Sequence, residues 1–228
     1  MSKKSALVIG GSSSLAQGIV SILNSLNVNT SVTYRECPNT HGSERESFVL
    51  YISRMNVIDD FLDQIKGREF DFVVNLIGSM SHLESKVSHT LIRDYLEVYS
   101  TNLIFLLDEL FLDSRLAKDG KILHISSRAA KYGSFDRFYA ASKSSIEGYI
   151  KSVPKSINSR ISINAISVGL ILDSRMFLDM DVSIREQHIH KSGGKLLNCN
   201  QVAKSVVQIL MDSKTNSGQI IELGPQYE

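Results

Sequence analysis

Short apolar runs alternate with segments of helical periodicity along almost the whole chain. Ala6 to Ile9 is a compact apolar run, and the small-residue stretch Gly10 to Ala16 follows it. From Leu15 onward, Ile19, Val20, Leu23 and Leu26 recur at helical spacing. That pattern predicts a strand, a tight turn and a helix. Further strands are predicted at 30–34, 47–52, 70–77, 120–127, 161–168 and 219–223. Helices are predicted at 57–65, over the stretch from Leu91 to Leu110, at 139–153 with Pro154 close to its end, and at 200–211. Strands that alternate with helices form βαβ units. The expected architecture is therefore α/β, a doubly wound parallel β-sheet flanked by helices on both faces. No linker, charge block or repeat interrupts the pattern, so residues 1–228 read as a single domain. The segment from Leu170 to Leu197 is the least regular and reads as an insertion near the site.

Composition narrows the function classes. The chain has 228 residues, of which 43% are hydrophobic and 21% charged, the balance of an ordinary globular protein. A formal net charge of +1 provides no broad field for nucleic acid or an anionic membrane. No apolar run approaches the ~18 residues of a membrane span. The apolar segment at the N-terminus, Ala6 to Ile9, is too short for the core of a signal peptide. Cys37 and Cys199 follow no metal-ligand spacing and read as reduced thiols of a cytoplasmic protein. His188 and His190 lack a third ligand and read as polar loop residues, so no metal is expected.

The candidate chemistry lies at Tyr139 and Lys143, with Ser127 upstream. Residues four apart share a helix face, so the phenol and the ammonium project side by side. A cation beside a phenol favours the phenolate and lowers the pKa from its usual ~10. A phenol tuned in this way serves as a general acid or base at a carbonyl or alcohol. The rival reading is a packed tyrosine and a surface lysine. Ser126 competes with Ser127 as the helping hydroxyl, and strand alternation turns the two to opposite faces. Gly10 and Gly11 open a first turn of the kind that offers backbone N–H groups and a helix N-terminus to a phosphate. Arg35, the first residue past the second strand, suits a ribose 2′-phosphate, and Glu36 follows it.

Taken together, these residues resemble the short-chain dehydrogenases/reductases, in the branch made of one Rossmann-like domain. Gly10, Ser14 and Ala16 stand where that family has Gly-x-x-x-Gly-x-Gly. Asn75-Leu-Ile-Gly78 is similar to the family's Asn-Asn-Ala-Gly stretch, Ser167-Val-Gly169 to its Pro-Gly turn, and Gly218 to Gly224 to its C-terminal Gly-Gln segment. The resemblance implies a catalytic set of Asn102, Ser127, Tyr139 and Lys143; Ser127 is preferred over Ser126 by its place relative to Gly133. Tyr139 would then exchange a proton with the substrate oxygen, which Ser127 would bind. Lys143 would hold the nicotinamide ribose and lower the Tyr139 pKa, and Asn102 would position a water beside Lys143. The implied cofactor contacts are Gly10, Ser12, Ser13, Ser14, Leu15, Arg35, Asn75, Gly78, Tyr139, Lys143 and Gly169. NADP(H) is expected over NAD because of Arg35.

The implied activity is hydride transfer between nicotinamide and a carbonyl or alcohol, with a small keto or 3-oxoacyl compound as substrate. The implied assembly is a homodimer or homotetramer. Two alternatives stand beside it. One is a dinucleotide-binding, redox-sensing regulator without catalysis, for which Ser14 and Ala16 argue. The other is an epimerase or dehydratase on the same fold, whose usual turn and longer C-terminal domain this sequence does not show. The apolar positions between Leu170 and Met180 either cover a lipophilic substrate or pack a short helix on the core.

Overall fold

The computed structural model describes residues 3–36, 46–81, 87–112, 115–157, 160–212 and 216–224; Cys37 lies outside them. β1 (Ser5–Ile9) leads through the glycine turn into α1 (Ser14–Ser25), and β2 (Asn29–Tyr34) returns beside it. β3 (Glu46–Val49), α2 (Met55–Gln64) and β4 (Phe70–Asn75) follow. The strand order is β3-β2-β1-β4-β5-β6-β7 and every pairing is parallel, where β5 is Leu116–Ser127, β6 Ser162–Val168 and β7 Ile220–Leu223. This is the expected doubly wound sheet. The chain winds outward one way from β1 and then the other way from β4. The crevice at the carboxyl ends of β1 and β4 is where such sheets bind ligands. Ile9 pairs with Asn75 there, so Gly10 and Gly78 come from adjacent strand ends.

Burial on both faces explains why the strands read as unbroken apolar runs. Leu7 and Ile9 enter the layer under α2 and the helices α4 (Asn102–Leu112) and α6 (Arg137–Ser156). Ala6 and Val8 enter the opposite layer, under α1 and α9 (Cys199–Met211). α1 and α9 pack closely: a Cβ at Gly18 would stand 3.2 Å from the Cβ of Ala203.

Four features depart from the sequence expectation. The helix expected from Leu91 to Leu110 is broken into α3 (His89–Leu96), a π-helical turn at Glu97–Thr101, and α4. Side chains at the break serve other elements: Asn102 Nδ2 donates to the Ile52 carbonyl at 2.8 Å, and the Ser145 hydroxyl donates to Ser100 Oγ at 2.9 Å. Such turns inside helices often mark functional sites. α6 runs past Pro154, and a Cβ at Gly218 would meet the Pro154 ring at 2.6 Å. The 170–197 segment is not a bare loop. It holds α7 (Arg175–Leu178) and α8 (Val182–Lys191), closed at its base by the Ile171–Leu197 bridge. His188 and His190 therefore lie on a helix. A short α5 (Ala129–Tyr132), not legible in the pattern, links β5 to α6. No helix among the described residues is long and apolar enough to cross a membrane.

The turn after β1 tolerates little. A Cβ at Gly11 would fall 2.2 Å from Val32 Cγ1 and 2.9 Å from the Tyr34 ring. Gly11→Ala is expected to lose about 2–4 kcal/mol through overpacking against β2. Chemical denaturation measures this, and an unchanged midpoint would refute the close approach.

Candidate active site

α6 begins at Arg137 because Asp136 caps it: Asp136 Oδ1 accepts from the Tyr139 N–H at 3.0 Å. Helical spacing then sets Tyr139, Lys143 and Glu147 in one buried row against the sheet. β5 ends at Ser127, whose Oγ accepts from Ala129 N at 3.2 Å as the chain turns into α5. The Ser127 hydroxyl lies close enough to the Tyr139 phenol to pull its pKa down. Both line a cavity of about 540 Å³, together with Lys143, Gly78 and Gly169. Met80, Met176 and Met180 supply apolar wall, and His188 and Lys191 enter from α8.

Lys143 is 4% exposed. Its Nζ donates to the Ile125 carbonyl at 2.9 Å and the Ile77 carbonyl at 3.4 Å, and lies 3.5 Å from His124 Nε2. A Cβ at Gly78 would come within 2.6 Å of that Nζ, so the glycine leaves the ammonium its place. Burial lowers the Lys143 pKa to about 8, against an upward pull from Glu147. His124 is fully buried and stays neutral, because burial and then the Lys143 charge hold its pKa well below the usual histidine range. The ring tautomer sets the roles in the Lys143–His124 contact, and the buried Nδ1 has no hydrogen-bond partner among the described residues.

The sequence predicts a phenol lowered by Lys143, and the structure gives the opposite direction. Burial raises Tyr139, the Asp136 carboxylate adds to the rise, and the Ser127 hydroxyl opposes it. Lys143 sits 6.0 Å from the Tyr139 ring centroid, and its own charge is disfavoured by the same burial. The phenol thus holds its proton at neutral pH.

The other predicted residues divide between the crevice and supporting roles. Ser13 is the N-cap of α1, its Oγ accepting from Ala16 N at 3.1 Å, while Ser12 and Ser14 are exposed at the same helix end. Gly10, at φ +91°, takes a left-handed conformation that favours glycine. Leu15 is buried in the α1 layer, as is Ala16, which is fully enclosed there. Asn75 Oδ1 accepts from Ile77 N at 3.0 Å, and its buried Nδ2 has no partner. The Asn102 side chain is directed to the Ile52 carbonyl in the loop after β3. Ser126 also lines the cavity, but its hydroxyl is committed to Glu147, donating to Oε1 at 2.6 Å.

Four neighbours of the site were missed in the sequence. Asp136 carries a readable signal, an aspartate immediately before a helix. His124 shares a strand face with Ser126, so alternation could have located it. Tyr51 and Arg54 carry no pattern of their own. Arg35 lies over the Tyr51 ring at 5.7 Å and Arg54 over the same ring at 5.3 Å, so two guanidinium groups meet beyond the ends of β2 and β3.

This geometry is that of a known class. A family model described as enoyl-(acyl carrier protein) reductase matches residues 13–222. The chain belongs to the short-chain dehydrogenase/reductase family and is an oxidoreductase of the kind that acts on carbonyl and alcohol groups. No curated protein matches it. Among solved structures, a short chain dehydrogenase family protein from Francisella tularensis subsp. tularensis SCHU S4 is similar at TM-score 0.82 and 17% identity, over 97% of each chain. BdcA, solved in complex with NADPH, is similar at TM-score 0.81 and 18% identity, over 99% of this chain and 96% of that one. A variant of actinorhodin polyketide ketoreductase, also with NADPH, is similar at TM-score 0.80 and 18% identity, over 97% of this chain and 95% of that one. At these identities the likeness concerns the fold.

Proposed function

We propose that the protein is an NADP(H)-dependent carbonyl reductase, or alcohol dehydrogenase in reverse, acting through Ser127, Tyr139 and Lys143. The observation that carries this reading is that Ser127, Tyr139 and Lys143 line one cavity, with the two hydroxyls close enough to influence each other. A carbonyl oxygen seated between the two hydroxyls accepts the Tyr139 proton, and Ser127 stabilises the charge developing on it. The nicotinamide, when bound, supplies or takes the hydride. Lys143 offers its ammonium to the ribose hydroxyls and to the phenol's oxygen as charge develops. Asn102 belongs to the proposed set through the π-helical turn that it ends.

The residues present fit a dinucleotide. Gly11 and Gly78 are held where a side chain would collide, and the capped N-terminus of α1 faces the crevice with small exposed serines. Ala16 packs wholly inside the α1 layer, so the missing glycine there gives no support to a non-catalytic regulator. Arg35 and Arg54 supply two cations for a 2′-phosphate. Arg35→Ser with Arg54→Ser is expected to weaken NADPH binding about 10²–10⁴-fold and leave NADH within about threefold, since each charge-assisted bond is worth about 1.5–3 kcal/mol. Nicotinamide fluorescence titrations read both. Equal losses for NADH and NADPH would remove the cofactor preference, and no binding of either by the wild type would end the oxidoreductase reading. A panel of carbonyls with NADPH, headed by 3-oxoacyl esters and small ketones, tests the substrate class. The cavity's methionine walls favour an apolar chain on such a substrate.

A further inference from the structure

Asp136 does more than start a helix. Asp136 is 7% exposed and its carboxylate receives at least three hydrogen bonds. Oδ1 accepts from the Tyr139 N–H at 3.0 Å and the Ser81 hydroxyl at 2.6 Å, while Oδ2 accepts from the Ser81 N–H at 2.5 Å. Ser81 lies on the stretch that leaves β4 past Gly78 and forms one wall of the cavity. The same stretch is tied a second time, where the Tyr95 hydroxyl on α3 donates to the Ser79 carbonyl at 2.6 Å. Met80, which lines the cavity, is held between the two ties.

We propose that Asp136 is a positioning residue of the reaction, a clasp that locks the Ser79–Ser81 wall to the first turn of α6 and so fixes Met80 and Tyr139 relative to each other. The proposal rests on the carbonyl-reduction reading of the site. A neutral cap such as serine or asparagine would start α6 about as well and would avoid burying a charge. A carboxylate adds two things. It grips both donors of Ser81 at once, with bonds of the stronger, charge-assisted kind. It also places a negative charge in the first turn, where the helix N-terminus stabilises it and where it opposes ionisation of the adjacent phenol. Tyr139 and Tyr95 are both raised, first by burial and then in part by Asp136.

The clasp therefore favours Tyr139 as a proton donor, the role needed when a carbonyl is reduced. Other charged or titratable groups face the same space. Lys143 and Glu147 lie on α6 itself, His124 on β5 and Tyr95 on α3. Arg128 follows β5, and His188 and Lys191 reach the cavity from α8.

Two variants separate the charge from the grip. Asp136→Asn keeps an oxygen to cap α6 and removes the charge; Ser81→Ala removes one donor and keeps both cap and charge. Protein carrying 3-fluorotyrosine, whose ring is more acidic, allows Tyr139 to be titrated by fluorine NMR below strongly alkaline pH. The Tyr139 signal is assigned by its loss in Tyr139→Phe. With Asp136→Asn the Tyr139 midpoint is expected to fall by about 0.5–1 pH unit, and the alkaline limb of ethyl acetoacetate reduction by NADPH to fall with it. With Ser81→Ala the midpoint stays, while the KM for ethyl acetoacetate rises about 5–20-fold as the wall loosens, with a smaller change in kcat. An unmoved midpoint in Asp136→Asn, at an unchanged melting temperature, overturns the electrostatic half. An unmoved KM in Ser81→Ala overturns the clasp. Failure of the wild type to turn over any carbonyl would count against the reductase reading alone, because the fluorine titration is read without turnover.

Discussion

Replacing Tyr139 by phenylalanine is expected to reduce turnover by about 10²–10⁴-fold, the usual contribution of a positioned general acid. NADPH should bind the variant within about threefold of the wild type, because the loss falls on the transition state rather than on the ground state. The fold should survive, since the ring remains and Ser127 Oγ keeps its bond from Ala129 N. Steady-state reduction together with a fluorescence titration distinguishes these effects. Wild-type-like reduction by Tyr139→Phe would sink the mechanism. The raised phenol also fixes the sign of the pH response in the wild type. Reduction needs the protonated form, so its rate should hold across neutral pH and fall only as the alkaline range is reached. Oxidation of an alcohol needs the phenolate and should rise over that same range.

The second large effect concerns Lys143. Its folded pKa of about 8 lies below the 10.5 of an ordinary lysine, so the folded state resists the charged form. Below pH 8 both folded and unfolded chains carry the proton, and folding bears the full cost of burying it. The cost is relieved as the pH rises from 8 towards 10.5, where the folded chain has lost the proton and the unfolded chain still holds it. At about 1.4 kcal/mol per pH unit the cost approaches ~3 kcal/mol. That figure already contains the upward pull of Glu147, and the bonds to Ile125 and Ile77 return part of it. Lys143→Met is therefore expected to stabilise the protein by about 1–2 kcal/mol at pH 7, or roughly 2–8 °C in melting temperature, while reduction falls at least about 100-fold. The gain should shrink as the pH approaches 10. A lower melting temperature for Lys143→Met at pH 7 would show that the ammonium contributes to stability rather than subtracting from it.

The βαβ order was legible because buried parallel strands leave dense apolar runs and because each helix presents one apolar face. Tyr139, Lys143 and Ser127 were legible because helical spacing and a strand end bring them together. What the pattern could not give was the direction of the Tyr139 shift, since burial is a property of the assembled cavity. Nor could it give the break at Glu97–Thr101, where the period of the apolar residues carries on while Asn102 turns to Ile52. Arg54 stayed hidden for a similar reason: its partner, Tyr51, stacks Arg35 as well, and only the folded β3 loop brings the three together.

The pairing of α1 with α9 has a consequence for how the chain is made. Gly18 and Ala203 approach within a carbon's contact, yet the segments that bear them are among the first and the last elements to be synthesised. At about 5–20 residues per second, the outward face of α1 waits on the order of ten seconds or more for its cover. During that interval the buried layer that Ile19, Val20 and Leu23 share with Val202, Val206 and Val207 is incomplete. A nascent chain of this architecture is thus most exposed to chaperones and to self-association just before its last helix emerges, and truncations that stop short of Cys199 leave that apolar seam open.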